Sequence, residues 1–379
     1  MTNNYYTIED IADGSLTMDT IRTNGDKKLF NVVSLFAGGG GSSMGYKLAG
    51  ANIMAINEFI PKAQEVYLSN FPGTHVFKED VRELTGKMIL DQIGLEKGEL
   101  DVLDGSPPCS AFSMAGQRED GWGKEKKYSD TTQCDVQDLF LDYIRILDDL
   151  QPKVFIAENV QGLLFGSAED YFLDFKYKMR KCGYKVHYKV MDASDFGVSQ
   201  HRKRLFFVGV RTDIDDDFDD WGLGTTNSDI YPTPSTQNFY VKDAMKNLVV
   251  DDTTKPLNEG TMALDLWNKT EVGDSFEKAS IEIKGKKSHF SHIRLSLDKI
   301  SPTMIKRRSF YHWSEKRFLA NSEVRRIMGI PDDYVNLGTF DQQRERLGRM
   351  VAPLVMYRLV SNIYENVLKD TNDNNTTRI

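Results

Sequence analysis

The chain has 379 residues, 40% of them hydrophobic and 27% charged, a balance that excludes disorder and allows one large domain or two ordinary ones. No apolar run approaches the ~20 residues a membrane helix needs, and the polar, acid-bearing stretch Met1–Asp10 does not read as a secretory signal. The net charge of −8 argues against a uniformly positive nucleic-acid binder. It leaves room for one positive face: basic residues gather in Lys176–Arg204 and Lys299–Arg326, acids in Asp213–Asp220 and near Asp251. Such runs are equally what ordinary solvated faces look like.

Residues 1–28 are polar and aperiodic and read as a loosely attached extension. From Phe30, short apolar runs alternate with helical patterns. Strands are expected at Asn31–Phe36, Asn52–Asn57, Val102–Asp104, Lys153–Glu158, Lys185–Met191 and Leu205–Val210. Helical patterns lie between them at Pro61–Asn70, Val136–Leu150 and Ala168–Cys182. This alternation predicts an α/β fold with a mostly parallel sheet covered on both faces. After Arg211 it stops, and residues 212–300 are rich in Asp, Thr, Asn and Ser, which predicts a smaller, irregular region. Helical pattern returns at Asn321–Met328 and Pro353–Leu368, and the tail Lys369–Ile379 is polar.

Three cysteines, Cys109, Cys134 and Cys182, make neither a disulfide framework nor a CxxC zinc pair, so no metal and a reducing, cytoplasmic setting are expected. Cys109 stands apart. In Asp101-Val102-Leu103-Asp104-Gly105-Ser106-Pro107-Pro108-Cys109 an apolar strand ends, Gly and two prolines force a rigid turn, and the sulfur sits at its tip. Ligands of open α/β sheets bind outside the carboxyl ends of the strands, which presents Cys109 as a candidate nucleophile. An inert buried cysteine is the alternative. Cys134 and Cys182 read as structural.

Upstream, Val32-Val33-Ser34-Leu35-Phe36-Ala37-Gly38-Gly39-Gly40-Gly41 is a strand running into a glycine turn that opens a helix. Glu58 follows Gly38 by twenty residues, at the end of the next strand, where a carboxylate can grip ribose hydroxyls. The turn has no basic residue, which favours a cofactor without phosphate over NAD, and Phe59 is placed to stack on an adenine or to fill the core. Glu158 ends another apolar strand, a costly place for a charge without a task. Arg202 and Arg204 alternate ahead of the strand Leu205–Val210 and can offer bidentate donors to a phosphate or a ring carbonyl, or simply mark a basic turn.

Taken in order, these segments resemble the DNA cytosine-5 methyltransferase family from Val32 to about Leu368. The matching stretches are Phe36-Ala37-Gly38-Gly39-Gly40, Asn57-Glu58-Phe59, Asp80, Pro108-Cys109 with Phe112-Ser113, Glu158-Asn159-Val160, Gln200-x-Arg202-x-Arg204, Arg317–Tyr334 and Gly348–Pro353. The chain departs from the pattern at Ser34, where Asp is usual, at Ser110, where Gln is usual, and at Arg349, where Asn is usual.

The resemblance implies a Rossmann-like S-adenosylmethionine-dependent methyltransferase fold and a flipped-out cytosine in a specific double-stranded DNA sequence, methylated at C5 with S-adenosylhomocysteine as product. It implies catalysis by Cys109, Glu158, Arg202 and Arg204. It implies cofactor contacts from Phe36, Gly38, Gly40, Glu58, Phe59, Asp80 and Pro108, and DNA contacts from Ser113, Gln117, Arg118 and Gln200. Ser110–Thr132 would be the loop that closes on DNA, with Lys124, Lys126 and Lys127 on phosphates. Residues 29–211 would form the catalytic and cofactor-binding domain, 212–300 the target recognition region, and 301–368 the motifs that return to it. A monomer with no membrane partner is expected, in a modification role beside a restriction endonuclease acting on the same site. Methylation of cytosine in transfer RNA, or DNA binding without catalysis, are the alternative readings.

Overall fold

The computed structural model describes residues 5–108, 139–214, 230–251, 254–306 and 309–369, with the backbone of 126–127 and 132–133. The chain forms two compact units. One comprises Asp19–Met191, Lys203–Pro234 and Met356–Ile379; the other comprises Met1–Met18, Asp192–Arg202 and Ser235–Val355.

The first unit is built on a seven-stranded sheet. Its strands are β1 (Asn31–Leu35), β2 (Asn52–Asn57), β3 (His75–Phe77), β4 (Val102–Gly105), β5 (Val154–Val160), β6 (Tyr184–Asp192) and β7 (Lys203–Arg211), in the order β3-β2-β1-β4-β5-β7-β6. The pairs β3–β2, β2–β1, β1–β4 and β4–β5 are parallel; β7 runs antiparallel to β5. The near-continuous apolar runs seen in the sequence are what strands buried on both faces require.

On one face, Val33, Leu35, Leu103, Phe155, Ala157, Leu205 and Phe207 form a continuous core with helices α5 (Gly86–Ile93), α6 (Leu139–Leu150) and α7 (Glu169–Lys181). Phe140 of α6 stacks on Phe175 of α7 with ring centroids 4.1 Å apart. The alternate residues point the other way. There α3 (Gly41–Leu48) covers the sheet, its Tyr46 reaching Asp104 of β4. Helix α4 (Pro61–Asn70) starts with Pro at a position where its missing N–H costs nothing. The sequence expectation holds for six of the seven strands; β3, three residues long, carries too little pattern to be read.

The second unit is largely helical. It contains α1 (Ile8–Ala12), α8 (Val241–Met245), α9 (Met262–Lys269), α10 (Glu277–Lys284), α11 (Asn321–Ile327), α12 (Phe340–Arg349) and a two-residue parallel pair, β8 (Ile293–Arg294) with β9 (Phe310–Tyr311). Leu257, Leu264, Leu266, Trp267, Phe276, Ala279 and Tyr311 form its own small core.

Within the expected extension, two helices form among the described residues: α1 is closed by a capping box between Thr7 and Asp10, and Ile8 and Ile11 are buried. The Met18 amide donates to Asp333 Oδ1 at 2.9 Å, and helix α2 (Met18–Gly25) buries Ile21 completely. With only one or two apolar residues per turn, the pattern is too sparse to announce these helices. Residues 301–355 also group with 235–300, so the return to the sheet unit begins at Met356, inside α13 (Pro353–Ile363).

Candidate active site

The glycine turn follows β1 directly. Phe36, half-buried, sits at φ 57° and Gly38 at φ 56°, both in the left-handed region. For phenylalanine that conformation is uncommon, and such strain collects where a backbone must meet a ligand. Gly40, at φ 87°, cannot be replaced: a Cβ there would lie 2.7 Å from the Phe71 ring. At Gly38 a Cβ would meet nothing within 4 Å, so the turn is open on that side.

Glu58, at the end of β2, is buried and oriented by two backbone donors. Gly38 N–H donates to its Oε2 and Ile60 N–H to its Oε1, each at 2.7 Å. The carboxylate is thus tied to the glycine turn as an acceptor. Phe59 beside it is half-buried. Asp80, three residues beyond β3, is gripped by Arg82 through Nε and Nη2, both at 2.9 Å. An acceptor carboxylate at the carboxyl end of β2, an open glycine turn without a cation and a flanking phenylalanine fit an adenosyl group that carries no phosphate. Phe36, Gly38, Gly40, Glu58 and Phe59 are the residues that would hold it.

Strands β4 and β5 end side by side. Gly105 lies under Tyr143 of α6, where any side chain would collide with the ring at 2.5 Å. The Tyr143 hydroxyl donates between the carbonyls of Leu103 at 3.2 Å and Ile156 at 3.1 Å, locking the two strand ends together. Pro107 is buried and Pro108 half-buried. Asn159 Nδ2 donates to the Pro107 carbonyl at 3.5 Å, so the residue after Glu158 braces the turn that leads to Cys109. Cys109 itself, with Ser113, Gln117, Arg118 and the expected closing loop Ser110–Thr132, lies outside the described residues, apart from the backbone pairing of Lys126–Lys127 with Thr132–Gln133.

Glu158 and Arg204 meet. Val160 of β5 is paired with Arg204 of β7, and Glu158, two residues along, is on the same face. Arg204 Nε lies 2.9 Å from Glu158 Oε1, and its Nη1 donates to the Lys203 carbonyl at 2.8 Å. Glu158 Oε2 and Arg204 Nη2 have no protein partner among the described residues. The pair therefore offers an acceptor and a donor side by side at the carboxyl edge.

Arg202 has a different position. It belongs to the second unit and is buried, with Nη1 donating to the Met304 carbonyl at 3.0 Å and Nη2 to the Gly348 carbonyl at 3.1 Å. It clamps backbone within its own unit. Gly348 is itself obligatory there, since a Cβ would lie 2.5 Å from the Ile305 carbonyl carbon. Gln200, expected at DNA, is fully buried in the same unit, and neither side-chain polar atom has a hydrogen-bond partner among the described residues. Arg349 pairs with Glu345 one helical turn back.

One residue escaped sequence reasoning. Asp104, the last but one residue of β4, is buried and accepts from Ser34 Oγ at 2.6 Å and Tyr46 OH at 3.1 Å. Burial pushes its carboxyl up to about 7, and the negative Glu158 pushes the same way, against the lowering effect of the two hydroxyl donors. The argument that singles out Glu158, an acid ending an apolar strand, applies equally to Asp104.

The strand order, the antiparallel β7 and the glycine turn followed by an acid define the Rossmann-like S-adenosylmethionine-dependent methyltransferase fold. A crystal structure described as a DNA modification methyltransferase encoded within an E. coli prophage shares it, with a TM-score of 0.68 at 20% identity over 89% of this chain and 99% of that one. The family model for C-5 cytosine-specific DNA methylases matches residues 30–365, and the chain belongs to that family of DNA (cytosine-5-)-methyltransferases. Among curated relatives, the type II methyltransferase M1.HphI of Haemophilus parahaemolyticus is 29% identical over 360 residues, covering 90% of this chain and 87% of that protein. M.FnuDI of Fusobacterium nucleatum is 34% identical over 221 residues, 57% of this chain and 55% of that protein.

Proposed function

We propose that the chain methylates C5 of a flipped-out cytosine within a specific double-stranded DNA sequence, through a covalent bond between Cys109 and C6. The Glu158–Arg204 pair carries this reading: a carboxylate and a guanidinium side by side, each with a hydrogen-bonding atom unused among the described residues, beside the prolyl turn that Asn159 braces. Cytosine C5 is a poor nucleophile. Addition of the Cys109 thiolate to C6 places electron density on C5, while Glu158 holds a proton at N3 and Arg204 donates to O2. When bound, S-adenosylmethionine would supply an electrophilic methyl group for C5, with the neutral thioether S-adenosylhomocysteine as its by-product. Loss of the C5 proton to solvent water then reforms the C5–C6 double bond and expels the Cys109 sulfur as thiolate. A stacked base cannot be reached this way, so the cytosine must leave the duplex.

Residues 212–300 are proposed to choose the DNA sequence, and a type II modification role, beside an endonuclease reading the same site, follows the names of the relatives. Purified chain, labelled donor and mixed-sequence DNA should yield 5-methylcytosine. DNA containing 5-fluorocytosine should trap the wild-type protein covalently and fail to trap Cys109→Ser. Transfer to RNA alone would replace the DNA substrate, and full activity of Cys109→Ser would remove the nucleophile. Methylome sequencing of a host expressing the chain would return the target sequence.

A further inference from the structure

Two buried aspartates sit on or beside β4, and they are treated differently. Asp101, just before the strand, is neutralised by Lys153 Nζ at 2.7 Å. Asp104, at the carboxyl end, has no cation beside it among the described residues; its partners are the neutral hydroxyls of Ser34 and Tyr46 and the backbone at Gly105. The groups that face it are Ser34 of β1, Tyr46 of α3, Tyr67 of α4, Tyr143 of α6 and the carboxylate of Glu158 on β5. A buried acid left without a counter-charge is a standing cost unless a ligand supplies that charge.

Its place in the fold says where the ligand would be. Asp104 is in register with Ser34, and Ser34 lies two residues before Phe36, where the left-handed glycine turn starts. On its own strand Asp104 is followed immediately by Gly105 and the prolyl turn. The carboxyl thus stitches the strand that feeds the cofactor turn to the strand that feeds the nucleophile turn, and Tyr46 adds the helix that the cofactor turn opens.

We propose that Asp104 is a positioning residue of the cofactor site that makes the site prefer the positively charged sulfonium donor over its neutral thioether product. This rests on the methyl-donor reading above. The donor and the product differ at the sulfur by one methyl group and one positive charge. A carboxylate buried under the site interacts with that charge through a medium that screens weakly, without touching the ligand. Binding of the cation favours the ionised form of Asp104 and releases its proton; binding of the thioether does not. After methyl transfer the attraction is gone, and the product is released more easily than the donor.

The test compares wild type with Asp104→Asn, which keeps the shape and an acceptor oxygen but cannot ionise. Dissociation constants for S-adenosylmethionine and S-adenosylhomocysteine are measured by calorimetry from pH 6 to pH 8.5. A coupling of one pKa unit would make the wild-type preference for the donor rise about fivefold across that range. In Asp104→Asn the preference should stay low throughout; the ligands' own titrations are common to both proteins and cancel in the comparison. Independently, wild type in two buffers of different ionisation enthalpy should release protons on binding the donor and fewer on binding the product. Equal pH dependence of the preference in both proteins, or equal proton release for both ligands, overturns the inference and leaves the methyl-donor reading standing. Failure of wild type to bind either ligand overturns both.

Discussion

Each unit of the molecule holds an arginine–glutamate pair, and the two pairs differ in how completely they are used. In the helical unit Glu323 takes Arg317 through two bonds, at 2.7 and 2.8 Å, and also receives the Ala320 amide at 2.7 Å. Arg317 gives a further bond to Glu315 at 2.6 Å and another to the Phe318 carbonyl at 3.0 Å. His312 joins them. Its Nδ1 accepts the amide of Glu315, which leaves the ring proton on Nε2, facing Glu323 at 3.5 Å; burial holds the imidazole below its usual range. The Glu323 side chain is 1% exposed. In the sheet unit Glu158 and Arg204 share one contact and, among the described residues, keep an oxygen and a nitrogen in reserve. A saturated pair holds a fold together; a half-used pair at a strand end is prepared for a ligand.

That contrast can be broken at either end. The largest effect is expected from Glu158→Ala, which should reduce methyl transfer by about 10²–10⁴-fold, the usual worth of a proton-handling group, with the melting temperature nearly unchanged. A collapse of stability with activity intact would place Glu158 among the structural residues. Glu323→Ala should do the reverse. It strands Arg317 in a buried position and should cost about 3–5 kcal/mol in denaturant unfolding, while its folded fraction turns over normally.

Asp104 sharpens the comparison through pH. Folded, its carboxyl is pushed up to about 7 by burial; unfolded, it titrates near ~3.9. The folded chain therefore binds the extra proton between those values, and the stability it contributes in acid is lost as pH rises through about 7. Asp104→Asn lacks that titration and should be more stable than wild type at pH 8, by about 4 kcal/mol at most, with the difference closing toward pH 4. A variant less stable than wild type at pH 8 would make Asp104 a structural residue. The smallest effect belongs to the exposed Lys269–Glu282 pair. Lys269→Ala should change unfolding free energy by less than ~1 kcal/mol; a larger loss would show that surface pairs in the helical unit also carry its fold.

The sequence makes the sheet legible because each of its central strands is apolar along its length and ends in chemistry. Asn52–Asn57 before Glu58, and Val154–Ala157 before Glu158, announce both strand and site. The helical unit is less legible, since its hydrophobic core is built from scattered residues such as Leu257, Trp267, Phe276 and Tyr311, whose spacing repeats no period. Arg202 and Arg204 show the limit most clearly. Two residues apart and chemically identical, they take different partners: one donates to the carbonyls of Met304 and Gly348, the other is set against Glu158. Spacing records which face a side chain starts from, not which distant carbonyls it will reach.

Helix α1 has a consequence for how the chain is made. Its partners in the helical unit are α8 and α11, more than two hundred residues downstream. A ribosome delivers Ile8 and Ile11 long before the helices they pack against. The sheet unit has most of its strands long before then, whereas the helical unit must wait for residues up to Val355. During synthesis Ile8 and Ile11 thus stay without these partners until α8 and α11 emerge, the condition under which nascent chains aggregate or recruit chaperones. A substitution or deletion within α1 would act on the closing step of assembly rather than on a dispensable segment.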